Sequence, residues 1–213
     1  FIAVLGHDLR NPLSAVDAGA RMLERGALTD SQRGVVQLIR ASTLRMTGLV
    51  NNVLDFARGR LGAGIVLDKH LTNLGPAIAQ VVGELQAVWP DQIIKADIID
   101  TAPIHSDVNR ISQLASNLLA NAITHGTPGT PIEITLHTSA KGAELVVVNT
   151  AAPIPPEAEA QLFKPFVRGD GSQSGLGLGL YIAHEIARAH GGTLSVASGD
   201  GQVRFTLILP AVG

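Results

Sequence analysis

From Ile2 onward the apolar residues Ile2, Leu5, Leu9, Leu13, Val16, Ala20 and Leu23 recur every three or four positions. On a helix of 3.6 residues per turn that spacing draws one buried stripe. Residues 26–30 break the pattern. A second series, Val35, Ile39, Ser42, Met46, Leu49, Val53 and Phe56, then steps by fours and threes as coiled-coil seams do. Two antiparallel helices joined by a short loop are predicted. A lone hairpin of this kind leaves apolar stripes uncovered, and a second copy across a two-fold axis covers them, so a homodimeric four-helix bundle is expected. The chain opens inside the first periodic run with no capping residue before it, which suggests a fragment whose upstream part is missing.

The segment 58–64 carries three glycines and no periodicity and is predicted to be a linker. Beyond it the patterning mixes helical and strand periods. Helices are predicted over 74–89, 109–125 and 180–190, the last stopped by Gly191 and Gly192, with Asp107 as an N-cap or first-turn acid. Strands are predicted over 93–99, 132–137, 144–148, 193–197 and 203–209. This order predicts an α+β sandwich with helices on one face of a mixed sheet. The expected domains are 1–60, the helical hairpin, and 65–213, the mixed unit.

Composition narrows the functions available. Among 213 residues, 46% are hydrophobic, 3% aromatic and 16% charged, so a core of Leu, Ile, Val and Ala can form. A formal net charge of -2 supplies no basic field for nucleic acid or an anionic membrane surface, and any phosphate must be bound locally. The absence of cysteine excludes disulfides, thiolate zinc sites and cysteine nucleophiles, and fits a reducing compartment. No apolar run reaches the roughly 18 residues of a membrane span.

Candidate chemistry begins at His7-Asp8-Leu9-Arg10-Asn11-Pro12-Leu13. Pro12 falls inside a predicted helix, where it removes the backbone bond to the carbonyl of Asp8. His7 lies two positions from Leu9, about 200° around the helix, and is expected to face outward. Neutral imidazole is a nucleophile, and a carboxylate such as Asp8, accepting the other ring proton, fixes its tautomer and raises its reactivity. Asn11, one turn on, has an amide suited to orienting a water for hydrolysis. A His-Asp pair alone is usually no more than a solvated helix face, but the heptapeptide is more specific. It resembles the phosphoacceptor box of the histidine kinases, His-Glu-x-x-Asn/Thr-Pro-Leu, with Asp8 in place of the commoner Glu.

The second candidate site combines two segments. Asn117, Asn121 and His125 fall one turn apart on one predicted helix face, and amide oxygens are hard ligands suited to Mg²⁺ alongside phosphate and water. Gly175, Gly177 and Gly179 with Leu180 lead straight into the next helix, whose free N-terminal amides favour an anion. A P-loop is excluded because no Gly-Lys-Ser/Thr follows, and the dinucleotide fingerprint fails because Leu180 stands where its third glycine belongs.

With the segment 162–166, Leu-Phe-Lys-Pro-Phe, these motifs resemble in order the N, G2 and F boxes of histidine kinase ATPase domains. The resemblance spans essentially the whole chain. It implies the Bergerat-type ATP fold, with Asn117 and Asn121 approaching Mg²⁺, His125 and Phe166 near ATP, and a lid at 168–174. It further implies transfer from ATP to His7 and then to an aspartate of a response-regulator receiver domain, in the cytoplasm. The adenine loop departs from the usual Asp-x-Gly-x-Gly-Ile, reading Asn149-Thr150-Ala151-Ala152-Pro153-Ile154. Asn149 keeps an amide acceptor but not a charge, Ala151 adds a methyl, and Pro153 fixes its own φ. The alternatives are therefore a phosphatase of the partner acting through Asn11, or a nucleotide-sensing dimeric scaffold. His70, His105, His137, His184 and His190 show no metal spacing and are expected to be ordinary surface or structural residues.

Overall fold

The computed structural model describes residues 2–60, 64–167 and 176–211, without the side chains of residues 2–5, 7 and 60. The chain divides into two compact units, Phe1–Ala63 and Gly64–Gly213.

In the first unit, helix α1 (Ile2–Glu24) runs through Pro12 and helix α2 (Asp30–Arg60) returns beside it. A capping box starts α2: the Gln32 amide donates to Thr29 Oγ1 at 3.3 Å, while the Thr29 amide donates to Gln32 Oε1 at 2.9 Å. The helix then continues through Arg58, Gly59 and Arg60, which the glycine content had assigned to the linker. One glycine near a helix end costs only about 1 kcal/mol, too little to stop an established helix.

Among the described residues, those buried in this hairpin are Gly6 and Ala20 of α1 with Val36, Arg40, Ala41, Thr43, Asn52, Leu54 and Asp55 of α2. At Gly6 the helices approach so closely that a Cβ would stand 2.8 Å from Leu54 Cδ1. Arg40 donates to Glu24 at 2.9 Å and lies 3.6 Å from Asp17. A part-buried pair of this kind adds little net stability but penalises any register that strips one partner away. The predicted stripes are only partly covered: Leu9, Val16 and Leu23 of α1, and Val35, Met46, Leu49 and Val53 of α2, remain exposed. Two helices can cover only the faces they turn to each other, and those faces carry small and charged residues.

In the second unit the elements are β1 (His70–Thr72), α3 (Gly75–Val88), β2 (Ile94–Asp100), β3 (Ile104–Ser106), α4 (Val108–His125), β4 (Ile132–Ser139), β5 (Gly142–Thr150), α5 (Pro156–Glu159), α6 (Gly179–Ala189), β6 (Thr193–Gly199) and β7 (Gln202–Pro210). The main sheet has the order β2-β4-β5-β7-β6, with β2 parallel to β4 and the remaining pairs antiparallel. β1 and β3 form a separate antiparallel ribbon.

Helices α3, α4 and α6 cover one face. Along β4, Ile132, Ile134 and Leu136 are buried while Glu133, Thr135 and His137 are exposed, the alternation of a sheet packed on one side. Ile78, Leu114, Leu118, Ile186, Val147 and Phe205 meet in this core, each fully buried and contributing about 1.5–3 kcal/mol. The mixed sheet and one-sided helices match the expected fold class.

Candidate nucleotide-binding site

Helix α4 turns Leu114, Leu118 and Ala122 into the core, which leaves Asn117, Asn121 and His125 on its outer flank. Asn117 Nδ2 donates to the Gly179 carbonyl at 3.2 Å. That bond commits the amide nitrogen and leaves Oδ1 as an acceptor. A Cβ on Gly179 would stand 3.7 Å from the Asn117 side chain, so Asn117 sits directly at the start of α6. Leu178 caps α6 without a side-chain hydrogen bond, so its side chain supplies no acceptor to the first-turn amides.

The glycine turn is tied to the segment containing Phe166. The Phe166 amide donates to the Gly177 carbonyl at 3.0 Å. Gly177 has φ +66 and a Cβ there would fall 2.4 Å from the Val167 carbonyl, so both its conformation and its surroundings demand glycine. Phe166 is itself left-handed, φ 65, and exposed. The turn is therefore shaped by its neighbours. Gly175, the lid at 168–174 and the side chain of His7 lie outside the described residues.

At the other end of α4, His125 is exposed and Gly126 follows as the C-cap. A Cβ on Gly126 would lie 2.5 Å from the Ala122 carbonyl and 3.5 Å from Asn149 Nδ2, which puts Asn149 beside the helix end. Asn149 is 3% exposed, and its Nδ2 donates to the Thr150 carbonyl at 3.4 Å, a long bond for a buried amide. Asn149 is thus a buried amide in a strand otherwise rich in valine. The Thr127 amide donates to the Thr150 carbonyl at 2.7 Å, the Ala151 amide to the Gly201 carbonyl at 3.0 Å, and the Ile154 amide to Ser198 Oγ at 2.7 Å. Pro153 is exposed between these anchors. Asn117 and Gly126 are nine residues apart, about 13 Å along one helix.

This donor set fits Mg²⁺. Asn117 and Asn121 offer amide oxygens from one helix face, few enough that phosphate and water would complete a shell. Among the described residues no cluster of His, Asp and Glu suits a metal held by protein alone. Asp107 is the N-cap of α4, its Oδ1 accepting from the amides of Asn109 and Arg110. In the first unit Asp8 and Asn11 are exposed on α1.

Two contacts had no signature in the sequence because both join distant positions. His190 is buried, its Nδ1 against the Ile186 carbonyl at 2.8 Å and its Nε2 accepting from the Asp107 amide at 3.1 Å. Phe163 and His184 stack with ring centroids 5.1 Å apart.

Residues 1–62 match the His Kinase A (phospho-acceptor) domain, and residues 106–213 match the histidine kinase-, DNA gyrase B- and HSP90-like ATPases. The chain is 36% identical to a bacteriophytochrome of Pseudomonas aeruginosa over 99% of its own length and 29% of that protein. It is 31% identical to the probable sensor histidine kinase TcrY of Mycobacterium tuberculosis over 100% of its length and 46% of that protein. The chain thus spans less than half the length of these relatives. Among solved structures, full-length ShkA in complex with AMPPNP aligns at TM-score 0.66 and 30% identity, covering 100% of this chain and 46% of that one. No helix among the described residues is long and apolar enough to cross a membrane.

Proposed function

This chain belongs to the sensor histidine kinases, and from that premise we propose that it uses Mg-ATP to phosphorylate His7 and passes the phosphoryl group to an aspartate on a receiver domain. The observation that carries the reading is the pairing, in one chain, of a phosphoacceptor box at residues 7–13 with an ATPase unit in which Asn117 meets the start of α6. We assign residues 1–60 to dimerisation and phosphotransfer and 65–213 to ATP binding. The exposed Leu9, Val16, Leu23, Met46 and Val53 support a homodimer, since they leave an apolar face for a second copy to cover.

In this reading Asn149 takes the adenine amino group on its Oδ1, and Ala151, Pro153 and Ile154 line the base. His125 and Phe166 flank the nucleotide. The first-turn amides of α6 at Gly179 and Leu180, with Gly175 and Gly177 ahead of them, hold phosphate oxygens. Asn117 and Asn121 would hold Mg²⁺, whose chemistry when bound is to neutralise charge on the phosphates. A ring nitrogen of His7 attacks the γ-phosphorus in line as the bond to the ADP oxygen breaks, while Asp8 accepts the proton of the other ring nitrogen. Little covalent work is asked of the protein beyond placement. We place the reaction in the cytoplasm, where ATP and the receiver domain are found.

The departure at Asn149 and Ala151, with Asn11 exposed one turn from His7, favours a second reading in which partner dephosphorylation or nucleotide sensing dominates. Incubation with γ-labelled ATP separates the two. Kinase activity gives an acid-labile label on wild type that His7→Gln removes while dimer and nucleotide binding survive, and that Asn121→Ala reduces by at least about tenfold. An unlabelled wild type that binds Mg-ATP would sink the kinase reading.

A further inference from the structure

The Phe163 and His184 rings stack with centroids 5.1 Å apart and planes inclined by 24°. We infer that His184 is a positioning residue for the nucleotide-binding elements: by holding Phe163 against α6, it fixes the segment 163–166 and, through it, the glycine turn at Gly177. The inference rests on the reading that Phe166, Gly177, Gly179 and Asn117 serve the nucleotide.

The geometry is a closed loop of contacts. Segment 163–166 meets the α6 end of the unit at two described points. One is the backbone bond from Phe166 to Gly177, where the chains pass so closely that a Cβ on Gly177 would lie 2.4 Å from the Val167 carbonyl. The other is the ring stack, five residues into α6 from Gly179 and about 7.5 Å along the axis. A single attachment acts as a hinge. Two attachments, one to the turn just ahead of α6 and one to the helix itself, set both position and orientation.

Phe166 supplies the reason a second attachment is needed. It is 55% exposed and has φ 65, a conformation unfavourable for a residue with a Cβ. Such a backbone persists only where its surroundings over-determine it. Upstream, turns hold the segment, with the Leu162 amide donating to Glu159 and the Lys164 amide to Gln161. Downstream, Gly177 precedes Gly179, whose carbonyl accepts from Asn117. A shift of Phe163 is thereby passed through Phe166 and Gly177 to the start of α6 and to the amide on α4. The described ring and polar contacts of His184 are with Phe163 and Glu185, so its effect is on how well these groups are placed.

Steady-state autophosphorylation of the 213-residue chain tests this, with melting temperatures measured alongside. His184→Ala should raise KM for ATP about fivefold, the size of one lost aromatic pair, with kcat within about twofold of wild type. His184→Phe, which keeps a ring at the position, should return KM to within about twofold. Phe163→Leu should raise KM similarly, and the double variant should be no worse than either single one. Unchanged KM in His184→Ala, even with a lowered melting temperature, overturns the inference. So does failure of His184→Phe to rescue, or additivity in the double variant. A wild type that binds no ATP overturns the functional reading and this inference together, whereas a wild type that binds ATP beside an unaffected His184→Ala overturns this inference alone.

Discussion

In the proposed reading Asn149 stands where the family's usual adenine loop has an acid, and it is 3% exposed near the end of β5. An amide oxygen accepts one hydrogen bond without the reinforcement a carboxylate brings, and charge-assisted bonds are roughly twice as strong. Asn149→Asp is therefore expected to tighten ATP binding by about tenfold in titration calorimetry. The same variant should melt lower without nucleotide, since it buries a carboxylate beside the end of α4. Unchanged affinity would show that Asn149 does not meet the base. The motif was legible at this position, but its burial was not: a stretch of six residues cannot report that Gly126 closes over the side chain from 23 positions away.

Helices α4 and α6 carry the candidate phosphate and metal groups, and their far ends are joined by one histidine. The Asp107 amide donates to His190 Nε2 while Nδ1 donates to Ile186, so both ring nitrogens are used by the neutral form. Burial lowers the His190 pKa below its ordinary 6.5, and the charge of Lys69 adds to this against the Ile186 bond and the Asp107 charge. The sign follows from linkage. The unfolded chain binds the proton first on acidification, so this contribution to stability is full above about pH 6.5 and is lost as pH falls toward the lowered folded value. Thermal melts between about pH 5 and 8 should show wild type losing stability on the acid side. In His190→Gln that acid-side loss should shrink, and an equal loss in the variant would assign it elsewhere. The sequence patterning located both helices to within a residue or two because their apolar periods are long. It missed β1 and β3, whose three residues each are too few to display a period, and the one-turn α5.

At the scale of the molecule the hairpin unit leaves apolar residues of both helices exposed in a single copy. Leu9, Val16 and Leu23 fall seven apart on α1, and Met46 and Val53 seven apart on α2, all exposed. A seven-residue apolar repeat is the spacing of a seam between helices. Met46→Glu should shift the chain from dimer toward monomer at micromolar concentration, read by light scattering after size exclusion, with ATP binding by the second unit retained. A wild-type monomer under those conditions would refute the bundle.

The sequence by itself determined the two-unit grammar, the long helices and strands, the one-faced sheet and the motifs of the candidate site. All of these are local patterns, set by periodicity, turn residues and short spacings that a linear reading can see. Only the tertiary structure decided which apolar stripe the hairpin covers, because that depends on small residues such as Gly6 and on the Arg40 ion pairs that select the facing surfaces. It alone brought Asn117 to Gly179, His190 to Asp107 and Phe163 to His184, pairs separated by 62, 83 and 21 positions. Contacts at such separations are chosen by packing of the whole core, and no short stretch of chain holds the information that selects them.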